Sequence, residues 1–202
     1  MKFIHCLFLA ALLPLSSFGA AGMFDQYIIV NTGGIAYFDI GASTANPDFQ
    51  GASLGTFTSS DSLLLGGQGK SFKNNGSDVN GMQLFYRLWQ GTPSGSFSQF
   101  NYAFQIDNVG GTPGDQQWGS DVAGFNGSSF YTGNLLTGLA NGNYSLEVFS
   151  RITTNGNNAA AEIFNNAGGS NFTSAFTVVP EPSRALFSLI GLGVLMFRRR
   201  RA

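Results

Sequence analysis

Large apolar side chains return at every second position along several stretches of this chain, and each stretch is closed by Gly, Asn, Ser or Pro. Met82, Leu84, Tyr86 and Leu88 fall on one side of an extended segment, with Gln83, Phe85, Arg87 and Trp89 on the other. Phe100, Tyr102, Phe104 and Ile106 repeat the pattern, as do Tyr144, Leu146 and Val148, and then Phe172, Phe176 and Val178. A period of two marks a pleated strand that buries one face. Shorter candidates are Tyr27 to Val30, Ile35 to Ile40, Ser62 to Leu65, Lys70 to Lys73 and Ala160 to Phe164. Between residues 23 and 178 no segment sustains the 3.6-residue period of a helix.

Turn chemistry punctuates these strands. Asn-Gly and Gly-Gly pairs accept positive φ at little cost. They occur at Gly33-Gly34, Gly66-Gly67, Asn75-Gly76, Asn80-Gly81, Gly110-Gly111, Asn126-Gly127, Asn141-Gly142, Asn155-Gly156 and Gly168-Gly169. With 28 glycines, 20 phenylalanines and only 10% charged residues in 202, the chain is no coiled coil or charged disordered tail. Eight to eleven strands are expected, which predicts an all-β fold, an antiparallel β-sandwich, with a closed barrel as the runner-up. The polar, Asn-rich stretch from Ser150 to Gly169 reads as a long hairpin loop. A transmembrane barrel is disfavoured, because its lipid-facing band needs regular segments of about ten residues with aromatic girdles.

The two ends read differently. Met1-Lys2, an apolar run from Phe3 to Leu15 and a small-residue exit to Gly22 have the three parts of a secretory signal peptide. The run is too short to span a bilayer of about 30 Å. Gly19 and Ala21 fit the −3 and −1 positions, so a signal helix over residues 1–21 is expected, with cleavage after Gly19 or Gly22 also permitted. Cys6 and His5, the only cysteine and the only histidine, leave with it. At the other end, Val179-Pro180-Glu181-Pro182-Ser183 is followed by an uncharged, Gly-containing apolar segment, 185–197, and then Arg198, Arg199, Arg200 and Arg201. Such a segment reads as a C-terminal transmembrane helix whose basic flank stays cytoplasmic.

This order of motif, helix and arginines resembles the PEP-CTERM sorting signal of Gram-negative bacteria, whose carriers are processed by a membrane protease, exosortase. The resemblance covers residues 179–202. Arg184 departs from it, standing where the family has a small or hydroxyl residue, and the helix is short. It implies export through the inner membrane, anchoring by the helix, exosortase as processing partner, and a final place at the cell surface or in an extracellular polysaccharide matrix. An ordinary single-pass anchor is the other reading of the same tail.

The cargo, residues 23–178, is acidic: four basic side chains (Lys70, Lys73, Arg87, Arg151) stand against ten acidic ones, a net of −6. That field repels nucleic acid. Leu139 to Tyr144, ending Gly-Asn-Tyr, resembles the entry to a late strand in extracellular immunoglobulin- and fibronectin-like sandwiches, where the tyrosine packs at a sheet corner. Jelly-roll topology is equally open. Other stretches of the cargo are similar to an uncharacterised module of bacterial secreted proteins, which implies no activity.

Without Cys6 and His5 the chain has no thiol or imidazole, hence no Ser-His-Asp or Cys-His arrangement and no His- or Cys-ligated metal. No catalytic or metal-ligating residue is assigned. Calcium is the one ion its loops suit, through Asn74, Ser77, Asp78 and Asn80, or through Asp107, Asn108 and Asp115, although neither has the spacing of an EF-hand. Phe85 and Trp89 share a polar strand face, and Trp118 is expected in a Gly-rich loop beside Gln116 and Gln117. These three rings are the candidate glycan contacts. The leading expectation is a non-enzymatic, structural or adhesive surface protein with weak glycan contact. The alternative is a carbohydrate-active enzyme, a glycoside hydrolase or lyase, using paired carboxylates such as Glu147 and Glu162.

Overall fold

A computed structural model describes residues 20–41, 45–120 and 130–181. The expected transmembrane helix and arginines 198–201 lie outside the described residues, as do Pro182, Ser183 and residues 1–19 of the expected signal helix; Ala21, expected at the end of that helix, is instead the first residue of a strand. No described helix is long and apolar enough to cross a membrane.

Among the described residues, eleven strands form two sheets. The first joins β2 (Ile35–Asp39), β1 (Ala21–Asn31), β4 (Leu64–Lys73), β8 (Asp115–Gly119) and β7 (Phe104–Asp107), in that order. The second joins β3 (Ser53–Phe57), β11 (Phe172–Val178), β9 (Gly142–Thr154), β5 (Val79–Trp89) and β6 (Ser98–Asn101). β10 (Glu162–Asn165) pairs with the far half of β9, beyond the part that β11 covers. All pairings are antiparallel except β3 with β11.

Alternation along the strands builds the core between the sheets. Ile28, Val30 and Leu65 come from one sheet, and Met82, Leu84, Leu146, Val148 and Ile152 from the other; all lie in a single buried cluster. Burying a side chain of this size stabilises the fold by roughly 1.5–3 kcal/mol. Tyr144 begins β9 at a corner: its hydroxyl donates to the Ala140 carbonyl at 2.9 Å, and its ring stacks on Phe176 at 5.3 Å.

The structure corrects several sequence expectations. Gly66-Gly67 is not a turn but the middle of β4. A Cβ on Gly67 would lie 1.9 Å from the Tyr102 hydroxyl, and one on Gly66 2.9 Å from the Tyr131 ring, so these glycines leave room for aromatic rings. The run from Phe100 to Ile106 is two strands, because the chain passes from one sheet to the other at the buried Tyr102. Asn80-Gly81 sits within β5 at a bulge. The expected loop from Ser150 to Gly169 instead holds the end of β9 and all of β10. Trp118 is on β8, not in a loop, because its indole is drawn into the core and donates to the Ser71 hydroxyl at 2.9 Å.

Candidate functional site

The outward face of β5 and β9 is built by register. Phe85 lies opposite Phe149, Arg87 opposite Glu147 and Gln83 opposite Arg151. Phe85 and Phe149 stack at 4.7 Å with rings 2° from parallel, and the Arg151 guanidinium covers Phe85 at 4.8 Å. Arg87 lies 5.3 Å from the centre of Trp89 and 4.5 Å from that of Phe97. Phe97 and Phe164 then contact Phe149 at 5.0 and 6.2 Å. Of the three rings expected to touch glycan, Phe85 and Trp89 therefore share one face and are engaged by cations or by another ring. Trp118 belongs to the opposite sheet and is buried.

The carboxylates are likewise engaged. Glu147 is buried, accepts from Arg87 Nε at 2.7 Å and also holds the Asn171 amide. Glu162 accepts from Arg151 at 2.6 Å. Glu162 pairs with Thr153, six residues along β9 from Glu147, which at about 3.3 Å per residue puts the two roughly 20 Å apart. Paired glycosidase carboxyls stand about 5–10 Å apart.

The two loops that suit calcium do meet, with a lysine between them. Lys73 Nζ is 3.1 Å from Asp78 and 3.5 Å from Asp107. Burial favours the neutral amine, but hydrogen bonds to these carboxylates and their charge outweigh it and hold the Lys73 ammonium above the ordinary lysine range. Asn108 is spent on the Gly114 amide. Among the described residues no three acidic, histidine or cysteine side chains gather as a metal site.

The start of the tail continues the sandwich. Val179 N–H donates to the Phe57 carbonyl at 2.8 Å, extending the β3–β11 pairing, and the Glu181 carboxylate accepts from the Ser59 hydroxyl at 2.8 Å. The adjoining turn is closed by Asp61, whose carboxyl is held below its usual range by hydrogen bonds from the Thr58 amide and hydroxyl.

One cleft was missed by sequence reasoning. β1 bulges between Phe24 and Tyr27, with Asp25 in the left-handed region at φ 46°, and the bulge turns Gln26 inward until it is 1% exposed. Gly69 opposite leaves it space: a Cβ there would stand 3.2 Å from Gln26 Cγ. β10 comes alongside from the other sheet, and Asn165 Nδ2 donates to Gln26 Oε1 at 3.0 Å and to the Ile40 carbonyl. Phe24, Gln26, Gly41, Phe164 and Asn165 surround a cleft of about 200 Å³. The only signal in the sequence was Asp25-Gln26 interrupting the apolar run of β1. No protein-family model matches this chain, and no curated protein matches its sequence.

Proposed function

We propose that this chain is an exported, non-enzymatic, structural or adhesive protein of the cell surface or extracellular matrix, delivered by its signal peptide and held or processed through a PEP-CTERM-like tail. What carries the reading is where the strands run. Among the described residues they run from Ala21 to Val178, so the paired region covers the interval between the two address-like ends and reaches into the edge of each, at Ala21 and Val179. Tyr144, bonded back to Ala140, favours an immunoglobulin- or fibronectin-like sandwich over a jelly roll, since a tyrosine closing a corner onto upstream backbone is a device of that architecture. Ten acidic against four basic side chains in the cargo suit a neutral polysaccharide partner better than a polyanion.

The test is surface labelling. The full chain is produced in a Gram-negative cell with an exosortase, and intact cells are treated with an amine reagent that cannot cross membranes. Lys70 and Lys73, with side chains 32% and 24% exposed, are then modified without lysis. Modification only after lysis contradicts the proposal.

A further inference from the structure

The cleft between β1 and β10 has the chemistry of a sugar site, and we propose that it binds one neutral pyranose residue of a glycan. The inference deepens the glycan contact in the function proposed above and rests on that reading for the source of the ligand.

Three observations carry it. The first is an unspent donor. Gln26 is almost wholly buried in the wall of the cleft, and its Nε2 has no hydrogen-bond partner although its Oε1 is held by Asn165. A buried amide left without a partner is costly, and a ligand hydroxyl would satisfy it. Asn165 spends its nitrogen on Gln26 and Ile40, and both amide side chains line the cleft, so the lining carries amide donor and acceptor groups. Hydroxyl groups use both.

The second is the pair of rings. Phe164 is 46% exposed, and Phe24 is half-buried with Lys70 5.7 Å from its ring centre. An exposed phenylalanine beside amides presents the apolar surface on which the C–H face of a sugar packs. Phe164 also touches Phe149, which joins the cleft to the aromatic row on the outer face of β9.

The third is charge and size. No ionised side chain is among the residues lining the cleft, and Lys70, over the Phe24 ring, is paired with Asp25 at 2.9 Å. A volume of about 200 Å³ is below the roughly 300–1,000 Å³ of pockets for larger ligands. The occupant is therefore uncharged and one ring in size.

The experiment uses the full chain in a detergent without a sugar headgroup and reads saturation-transfer NMR from methyl glucopyranoside, methyl galactopyranoside and methyl mannopyranoside, with methyl glucuronide as the charged control. At least one neutral glycoside receives saturation, and the glucuronide receives much less. Phe164→Ala and Phe24→Leu each weaken binding about tenfold, the size of one lost ring contact, whereas Phe85→Leu leaves it unchanged. If Phe164→Ala fails to fold, Phe24→Leu, which keeps the apolar volume, decides alone. The proposal is overturned by absence of binding to all three neutral probes, by equal binding of the glucuronide, or by loss with Phe85→Leu but not with the cleft variants. None of these outcomes touches the surface labelling of Lys70 and Lys73, so failure of the cleft and failure of the export reading are read separately.

Discussion

Arg87 Nε donates to Glu147 Oε2 at 2.7 Å across the β5–β9 pair, and the carboxylate is buried on what is otherwise the outer face of the sheet. The same guanidinium lies over Trp89 and Phe97, so one ion pair fixes the aromatic row beside it. Removing Glu147 strands both Arg87 and the Asn171 amide. Glu147→Ala is expected to cost about 2 kcal/mol in urea unfolding, while Glu147→Gln, which keeps an acceptor, costs less. Equal losses in the two variants would mean that charge alone matters there.

The paired glycines of β4 predict a sharp contrast. Gly67→Ala places a methyl group 1.9 Å from the Tyr102 hydroxyl and is expected to destabilise by several kcal/mol or to prevent folding. Gly34→Ala, in the β1–β2 turn with nothing within 4 Å, changes stability by about 0.5 kcal/mol or less. Thermal unfolding of the two variants side by side checks this.

Alkali should weaken the fold from a definite pH. Burial raises the Tyr102 phenol well above its ordinary value of 10.0. Above that pH the unfolded chain releases a proton that the folded chain keeps, so stability falls as pH rises. Lys73 acts in the same direction, because its raised folded value gives stability that is complete below 10.5 and lost as pH climbs through the folded value. The urea midpoint is expected to stay level up to about pH 10 and then drop, with Tyr102 phenolate absorbance appearing only on unfolding. Tyr102→Phe should reduce that drop, since it removes the buried phenol whose ionisation burial disfavours.

Calcium is expected to leave the melting temperature unchanged. Lys73 already stands between Asp78 and Asp107, where a cation would neutralise them. A rise in melting temperature with millimolar calcium would show that acidic groups outside this trio bind the ion.

Alternation made most strands legible, because a side chain's face follows directly from its position when the period is two. Met82 to Trp89 and Phe172 to Val178 lie within β5 and β11 for that reason. What alternation cannot reveal is the sheet to which a strand belongs. Phe100 and Ile106 share one pattern and sit in different sheets, because Tyr102 is buried where the chain crosses over. Glycine was ambiguous in the same way: Asn75-Gly76 is a turn with both φ angles positive, whereas Gly66-Gly67 makes room for rings distant in sequence. β3 and β8 were missed, since Ser-Leu-Gly-Thr-Phe and Asp-Gln-Gln-Trp-Gly are held by neighbouring strands more than by their own pattern. The cleft was illegible because it needs a bulge in β1 and the approach of β10 from 139 residues away.

The most direct measurement of the account is the intact mass of the chain recovered from the outside of exosortase-containing cells, with sequencing of both termini. Cleavage after Ala21 or Gly22 removes the Ala20 carbonyl that accepts from Asn74 and the first pairings of β1, with Lys73 and Phe72, and leaves β1 paired with β4 from Met23 onward. The account predicts a first residue between Ala20 and Met23, strands intact through Val178, and loss of Arg198 to Arg201. A chain found in the cytosol that still begins at Met1 and ends at Ala202 would contradict it.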